Sequence, residues 1–247
     1  MGSKFSIIWL NETDSTNNEV SRRIDRLDNM SVIAARNQTA GRGQRGNRWY
    51  AAPGENLTFS ILLRHGRDGL GTLETGKQFL LSARTALAIM DLFRKDGISA
   101  LIKWPNDIYV ADRKLSGILI ENVLAGDMVS ASIVGIGMNL NQRSFSPGIL
   151  NPISAALVTG REYDTRSVLD DFLECFARRL EDNEDKVMED YAAGLYRKDE
   201  FHDYSDASTG DVFSAAIRGV APDGRLAVET PDGSMKYFYF KEIGYLI

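Results

Sequence analysis

The segment between Arg36 and Trp49 has the strongest chemical character in the sequence. It reads RNQTAGRGQRGNRW, with four arginines and three glycines, and no acidic residue occurs from Asn29 to Gly54. The whole chain nevertheless carries a formal net charge of -5. Guanidinium groups bind carboxylates and phosphates in a forked geometry, and glycines let a backbone approach its ligand closely. The segment therefore predicts a local site for a small anion, whereas a nucleic-acid surface needs a basic face spread over the domain.

The stretch from Gly41 to Gly46 also matches G-x-G-x-x-G, the glycine pattern of dinucleotide-binding loops. Such a loop binds pyrophosphate only where it opens directly into a helix. Here Trp49, Tyr50 and an Ala-Pro-Gly turn follow, and the next predicted element is a strand at Leu57. We therefore expect a flap that is mobile until an anion binds, with a solvated basic turn as the alternative.

A second group of candidate residues lies in segment 98–121, ISALIKWPNDIYVADRKLSGILIE. Lys103 ends an apolar predicted strand and precedes a Pro-Asn-Asp turn, which predicts an ammonium at the mouth of a sheet. Such a lysine can neutralise a carboxylate or phosphate oxygen, while Asn106 and Asp107 can orient substrate or hold magnesium through oxygen. Lys114 is a further candidate for a phosphate contact. Taken singly, each feature fits an ordinary strand end or turn at least as well.

Two further polar segments contain candidate ligand contacts. The segment 135–141, GIGMNLN, follows an apolar strand, and its Asn139 is a candidate contact to a base or phosphate. The segment 13–18, TDSTNN, stands at a predicted helix start, where short polar side chains suit a heterocyclic urea or amide. Thr16 and Glu19 also form a capping-box pattern, so helix capping explains Thr16 equally well.

The intervening sequence predicts an α+β domain followed by a small β-domain, with the boundary between residues 195 and 196. Apolar runs predict strands at residues 5–10, 31–35, 57–63, 98–102, 108–110, 115–120 and 129–136. Helical spacing predicts helices that begin at Thr16, span Leu73 to Phe93, and run from Arg166 to the Asp190 region. Short strands at 211–217, 225–229 and 236–240, joined by Pro-Asp-Gly turns, predict a small β-barrel.

Composition limits the class of protein without deciding its activity. The 247 residues are 43% hydrophobic, which is enough for a sizeable core, and neither a signal peptide nor a bilayer-length apolar run is present. We therefore expect a cytoplasmic protein that does not associate with membranes. One cysteine and two histidines exclude an internal disulfide and argue against a zinc centre. Any metal would then be magnesium, brought in with a phosphorylated substrate.

The four motifs, in this order, resemble those of the biotin protein ligases. The resemblance rests on ETDSTNNE, ARNQTAGRGQRGNRW, KWPNDIYVADRKLSGILIE and GIGMNLN, all within residues 12–141. It implies the mixed central sheet of a class II synthetase-like catalytic fold, plus a small carboxy-terminal SH3-like barrel. It also implies a two-step reaction. Biotin's carboxylate attacks the α-phosphate of ATP to give biotinyl-5'-AMP, and a lysine of a biotin carboxyl carrier protein then accepts the biotinyl group.

The resemblance further implies roles for individual residues. Lys103 and Arg42 would act in catalysis through positioning and charge neutralisation. The implied biotin contacts are Ser15, Thr16, Asn17, Gln38, Arg42, Gly43, Gln44, Lys103 and Gly117. The implied ATP and adenylate contacts are Arg42, Arg45, Arg48, Trp49, Asn106, Lys114 and Asn139. Magnesium, held at Asp107, is the implied cofactor.

Two departures from the family pattern affect these expectations. Some relatives have arginine at the position of Gln44, so we expect Arg42, Arg45 or Arg48 to supply the positive charge that retains the adenylate. Some relatives also carry an amino-terminal DNA-binding domain. The ligase-like region here begins within the first fifteen residues, so we expect no DNA binding and a monomer or homodimer.

Two alternatives to a biotin ligase stay open at this stage. One is a lipoate or octanoate ligase or transferase of the same fold, and the other is a non-catalytic biotin or nucleotide sensor. Cys175 lies in a predicted helix, off its apolar stripe, and far downstream of the motifs. A transferase that works through a cysteine is therefore disfavoured, and Cys175 is expected to be structural.

Overall fold

The structure is a computed structural model that describes residues 5–66 and 70–247, and two sheets carry most of it. The strands of the larger sheet are β1 (Ser6–Thr13), β2 (Ser31–Gln38), β3 (Leu57–Arg64), β4 (Leu73–Glu74), β5 (Leu101–Lys103), β6 (Asp107–Val110), β7 (Arg113–Ala125) and β8 (Met128–Met138). The helices are α1 (Thr16–Arg22), α2 (Phe79–Arg94), α3 (Ala155–Thr159), α4 (Thr165–Glu181) and α5 (Glu184–Ala193). The strands of the smaller sheet are β9 (Phe201–Asp206), β10 (Val212–Val220), β11 (Leu226–Glu229), β12 (Met235–Phe238) and β13 (Ile243–Tyr245).

The larger sheet is mixed and has the strand order β1-β2-β3-β8-β7-β6-β5, with β4 paired to β8. Only β1 and β2 are parallel among its described pairs, since α1 connects them as a crossover. The antiparallel registers place Lys103, Asp107, Gly117, Gly137 and Thr58 in one row across five neighbouring strands. This row brings together residues from two of the four sequence motifs, segments 103–121 and 135–141.

The helices α2 and α4 pack against each other and against the sheet. α2 buries most of its circumference, as the sequence predicts, and α4 buries the stripe of Leu169, Phe172 and Phe176. Full burial of each such side chain stabilises the fold by about 1.5–3 kcal/mol. Cys175 is also fully buried, so the prediction that it lies off the apolar stripe is wrong. Across the described ranges, no helix is both long enough and apolar enough to span a membrane.

The predicted helix over residues 166–190 is in fact two helices. α4 ends at Glu181, and the side chain of Asn183 accepts a hydrogen bond from the backbone N–H of Lys186 to cap α5. Asparagine at this position satisfies an orphan donor of the new helix and so favours a break. Similarly, α2 begins at Phe79 and not at Leu73, because Leu73–Glu74 pairs with β8 as a short strand.

The capping-box prediction at α1 is also wrong, for a reason that concerns the site. Ser15 occupies the N-cap position and caps no backbone N–H with its side chain. Thr16 instead donates its hydroxyl to Gln38, and Glu19 pairs with the arginines that follow it. The polar residues at this helix start are therefore engaged in tertiary contacts.

The smaller sheet is antiparallel, with the order β12-β11-β10-β9-β13, which confirms the predicted small β-structure. It shares one hydrophobic core with the larger sheet. Trp104, in the turn after β5, donates its indole N–H to the carbonyl of Gly224 over 2.9 Å. The backbone N–H of Ile102 donates to Gly194, and that of Tyr196 donates to Ile102. The smaller sheet is thus attached beside the turn that follows Lys103.

Candidate active site

A cavity of about 300 Å³ lies at the row of residues that crosses the larger sheet. This volume is within the range of small-molecule sites. Most residues that the sequence motifs single out line it: Ser15, Thr16, Asn17, Gln38, Arg42, Gly43, Gln44, Arg48, Trp49, Lys103, Asn106, Asp107, Lys114 and Gly117. The fold therefore brings all four sequence motifs to one place, with Gly135 and Gly137 from the fourth.

Asn139, one of the sequence candidates, does not line the cavity. Asn139 is buried, and its side-chain amide donates to the carbonyl of Lys114 over 3.3 Å, which gives it a structural contact. The side chain of Arg45 lies outside the described residues, although its backbone belongs to the short 3-10 turn Gln44–Gly46.

A network of hydrogen bonds fixes the polar wall formed by Thr16, Asn17 and Gln38. The Oε1 atom of Gln38 accepts hydrogen bonds from the backbone N–H and the hydroxyl of Thr16, over 2.8 and 3.2 Å. The hydroxyl of Ser60 lies 2.7 Å from the Thr16 hydroxyl and 2.6 Å from Asn17 Oδ1. Asn17 Nδ2 donates to Glu121 Oε2 over 2.8 Å. These amide and hydroxyl groups are thus pre-oriented for a polar ligand.

Ser60 and Glu121 are site-supporting residues that the sequence reasoning missed. Ser60 is fully buried in the strand LTFSILLR, and a serine at the centre of this largely apolar run was the available signal. Glu121 stood in a quoted motif, but its role depends on side chains that are 79 and 104 residues away in the sequence. Contacts at such separations are set by the fold.

Two glycines of β8 make room for side chains of the cavity. A Cβ atom at Gly135 would overlap the amide of Asn17, and one at Gly137 would overlap the indole of Trp49. A Cβ at Gly117 would also be crowded, at 3.2 Å from the Trp49 ring. Glycine inside a strand commonly marks such a close approach. The strands β7 and β8 therefore provide a flat floor on which Trp49 lies.

The arginine-rich loop folds back on itself as a narrow hairpin. The backbone N–H of Gly43 donates to Asn47 over 2.7 Å, and that of Trp49 donates to Gly41 over 3.0 Å. No α-helix follows this loop; the next regular element is the strand β3. The absence of the helix that a dinucleotide loop requires agrees with the sequence interpretation. Arg42 lines the cavity, and its guanidinium pairs with Glu121 over 2.8 Å.

Lys103 is a partly buried cation of the cavity that lies against two aromatic rings. Its Nζ lies 4.4 Å from the ring centroid of Tyr245 and 5.3 Å from that of Tyr109. Within residues 5–66 and 70–247, no carboxylate forms an ion pair with it. Burial lowers the pKa of Lys103, and the charges of Lys114 and Arg197 act in the same direction while Asp107 opposes them. A partly buried ammonium without an anionic partner favours the binding of an anion.

Lys114 and Asp107 form an ion pair over 2.7 Å inside the cavity. Lys114 Nζ also lies 5.7 Å from the ring of Trp49. Asp107 is the one acidic residue among the described residues that line the cavity. In the same described part of the chain, no group of three or more His, Cys, Asp or Glu side chains is arranged to hold a metal.

Three buried polar atoms of cavity residues have neither a hydrogen-bond partner nor an ion-pair partner in the described structure. They are the acceptor Oε1 of Gln44, the donor Nε1 of Trp49 and the hydroxyl of Tyr245. Buried polar atoms are nearly always paired, so the unpaired acceptor of Gln44 and the unpaired donor of Trp49 suggest a polar ligand at this cavity. Together with the free charge of Lys103, they describe a site for a ligand that has both anionic and hydrogen-bonding groups.

Residues 9–139, more than half of the chain, match the family model described as the Biotin/lipoate A/B protein ligase family. The chain belongs to this family. The matched residues include the first three motifs, residues 135–139 of the fourth, and the strands β2, β3, β5, β6, β7 and β8. The described cavity therefore lies largely in the part of the chain that defines the ligase family.

Two curated relatives and one solved structure are similar to this chain over most of its length. It is 35% identical over 176 residues to the biotin--[acetyl-CoA-carboxylase] ligase of Paracoccus denitrificans, which covers 68% of this chain and 70% of the relative. It is 30% identical over 218 residues to the bifunctional ligase/repressor BirA of Bacillus spizizenii, and the match spans 84% of this chain and 64% of that protein. A biotin protein ligase from Aquifex aeolicus in complex with biotin and ATP has the same fold, with a TM-score of 0.77, 24% identity and 97% coverage of both chains.

Proposed function

We propose that this chain is a biotin protein ligase, which activates biotin with ATP and transfers it to a lysine of a biotin carboxyl carrier protein. One observation carries the proposal. A single cavity combines the unpaired ammonium of Lys103 with a pre-oriented amide and hydroxyl wall at Thr16, Asn17 and Gln38. Membership of the ligase family and the names of the relatives support it.

The polar wall suits the ureido group of biotin. A cyclic urea presents one carbonyl acceptor and two N–H donors, and it binds best to groups that are already held in place. Ser15, Thr16, Asn17 and Gln38 supply hydroxyl, amide and backbone groups of both kinds. The indole of Trp49 would cover the apolar part of the ligand.

In the first step, a carboxylate oxygen of biotin attacks the α-phosphorus of ATP. The bond from that phosphorus to the bridging oxygen of pyrophosphate breaks, and pyrophosphate leaves with the electron pair. Lys103 and Arg42 would hold the two anions together and neutralise the charge that builds up on the α-phosphate oxygens. Gly43 and Gln44 would place the loop backbone over the same group, and Arg48, Asn106 and Lys114 would contact the nucleotide.

Magnesium would enter with the phosphates of ATP. This cation usually keeps several waters and binds through one or two carboxylates plus substrate phosphates. Asp107 and the neighbouring amide of Asn106 line the cavity and are compatible with that donor set. The role of the bound ion would be to neutralise phosphate charge.

In the second step, the neutral amine of a carrier lysine attacks the acyl carbon of biotinyl-5'-AMP. An amide forms as the nitrogen releases a proton to solvent, the bond from the acyl carbon to the phosphate oxygen breaks, and AMP leaves with the electron pair. No nucleophile of the ligase is required, which fits the placement of Cys175 in the buried face of α4. The chain's contribution would be positioning and charge neutralisation.

The decisive experiment incubates the protein with ATP, magnesium, biotin and a biotin carboxyl carrier domain, and measures the mass of the carrier. A gain of one biotin is the expected result, and Lys103→Met is expected to abolish most of it. Parallel reactions contain lipoate or octanoate in place of biotin. Modification only by these acids would replace the proposal with a lipoate-type ligase, and tight biotin binding without any carrier modification would indicate a sensor.

A further inference from the structure

The ammonium of Lys103 lies against aromatic rings from both sheets. Tyr109 belongs to β6 of the larger sheet, and Tyr245 belongs to β13 of the smaller sheet. The Tyr245 ring is the nearer of the two, with its centroid 4.4 Å from Lys103 Nζ. Tyr245 also lines the cavity, so the smaller sheet contributes directly to its wall.

The ring of Tyr245 is held in place by other tyrosines. It packs edge-on against Tyr204, with 5.3 Å between centroids, and stacks on Tyr196, with 6.3 Å between centroids. Tyr204 is fully buried and pairs with Tyr245 across the β9–β13 register. This packing leaves Tyr245 little rotational freedom and gives the ring a fixed position beside Lys103.

An aromatic ring supports a cation in a different way from a carboxylate. The negative face of the ring attracts the ammonium, but the ring does not neutralise its charge. A carboxylate at the same place would compete with substrate anions for the lysine. No Asp or Glu of the described residues forms an ion pair with Lys103, so an incoming anion does not have to displace a carboxylate from the ammonium.

We propose that Tyr245 is a positioning residue for Lys103, so that the carboxy-terminal sheet takes part in biotin activation. This inference rests on the proposed function, because it assigns a partner to the lysine that would neutralise the reacting anions. The face of the ring, and not its hydroxyl, carries the effect.

The test measures biotin-dependent exchange of pyrophosphate into ATP, which reports the first step alone. Tyr245→Leu is expected to lower kcat by about 5- to 30-fold, the range of one cation–π contact, while KM for biotin changes less than about two-fold. Tyr245→Phe keeps the ring and is expected to stay within about two-fold of the unmodified enzyme. Tyr237→Leu, at an exposed tyrosine of the same sheet, is the matched control and is expected to have no effect.

A double-mutant cycle distinguishes a positioning effect of Tyr245 on Lys103 from a general loss of order in the site. In a Lys103→Met background, Tyr245→Leu is expected to change the residual single-turnover rate less than about two-fold, because the lysine that it positions is gone. Melting temperature and biotin binding by calorimetry check that each variant is folded. If Tyr245→Leu does not fold, Tyr245→Met replaces it, since methionine fills an irregular apolar space.

The possible outcomes distinguish the two proposals. Absence of biotin-dependent exchange in the unmodified enzyme would overturn the proposed function itself. Exchange in the unmodified enzyme with an equally active Tyr245→Leu variant would overturn only the role of Tyr245. Equal impairment of Tyr245→Phe and Tyr245→Leu, or an undiminished effect in the Lys103→Met background, would also overturn it.

Discussion

Arg42 and Glu121 form a two-point ion pair between the glycine-rich loop and β7. Arg42 Nη2 lies 2.8 Å from Glu121 Oε1, and Nη1 lies 3.1 Å from Oε2. The same carboxylate accepts a hydrogen bond from Asn17 Nδ2 over 2.8 Å. Glu121 thereby connects the anion-binding loop to the polar wall proposed for biotin, which makes it a support for both.

Replacement of Glu121 is expected to weaken the binding of biotin. Glu121→Ala removes the acceptor for Asn17 and the partner of Arg42, and we expect KM for biotin to rise about ten-fold, equivalent to about 1.4 kcal/mol. Glu121→Gln keeps an acceptor for Asn17 but no charge, so a smaller rise is expected. Steady-state exchange kinetics measure both, with Glu189→Ala on an exposed position of α5 as the control. An unchanged KM in Glu121→Ala would contradict this role.

Gly137→Ala is expected to displace the Trp49 indole from the floor of the cavity. The added methyl group would overlap the indole ring, and the neighbouring strand backbone cannot move away easily. We expect at least about a ten-fold loss of biotin affinity by calorimetry, together with a red shift of tryptophan emission as the ring becomes solvated. The control is Gly76→Ala, where a Cβ has open space and φ is negative. Biotin affinity equal to that of the unmodified protein would argue against this placement of Trp49.

The sequence was sufficient for those parts of the molecule that have a local signal. The strand around Phe59 and the apolar helix around Leu87 follow from periodicity, because burial selects residue types along the chain. The strand β9 was missed because FHDYSD is largely polar and has only Tyr204 fully buried. The break between α4 and α5 was missed because asparagine also occurs inside helices. Only the capping hydrogen bond of the Asn183 side chain marks the break.

The residues of the candidate site were likewise predicted only where the local sequence carries a signal. Arg42 and Lys103 were predicted because their motifs carry local chemical character. Tyr245 and Ser60 were not, since their relation to the cavity arises from strand pairing and from packing between two sheets. Asn139 was predicted as a ligand contact, yet its side chain bonds to the backbone of Lys114, a partner that the local sequence does not reveal.

The lowered pKa of Lys103 predicts an alkaline limit on biotin activation. The ordinary pKa of a lysine is about 10.4, and burial favours its neutral form, so the ammonium is lost at a lower pH than in an exposed lysine. Because the proposed role needs the charged form, kcat/KM for pyrophosphate exchange should fall as pH rises through that lowered pKa. Arginine in the Lys103→Arg variant stays charged above pH 12, so the residual activity of this variant should not fall in the same alkaline range. If kcat/KM of Lys103→Arg falls over the same alkaline range, the fall is due to the titration of another group.

Ligand binding is expected to protect the arginine-rich loop from trypsin. Arg42, Arg45 and Arg48 are potential cleavage sites close to three glycines, and like charges favour an ordered loop only when an anion is present. Addition of biotin and ATP should slow cleavage in residues 36–49 at least about five-fold, as followed by mass spectrometry. Cleavage in other parts of the chain provides the internal reference. Equal cleavage rates with and without ligands would contradict a ligand-ordered flap.

Arg179 is expected to be a main contributor to stability away from the site. Its side chain is 11% exposed and pairs with Asp91 over 2.7 Å, Asp182 over 3.0 Å and Asp190 over 2.5 Å. Arg179→Met would leave three neighbouring carboxylates without their shared cation, so we expect a loss of about 2–4 kcal/mol in the free energy of unfolding. Arg94→Met, at a side chain that is 70% exposed, should change stability by less than about 0.5 kcal/mol. Urea denaturation at pH 7 measures both variants.

Acid should reduce the stability difference between the unmodified protein and Arg179→Met. The pKa of Asp190 is lowered in the folded protein, first by the hydrogen bond from Lys186 and then by that from Arg179. A carboxyl group whose folded pKa is depressed contributes stability above its unfolded pKa of about 3.9, and this stability is lost as pH falls through the folded value. Urea denaturation at pH 3 should therefore give a smaller difference than at pH 7. A difference that is independent of pH would show that Arg179 stabilises the three helices through the packing of its aliphatic stem and not through its charge.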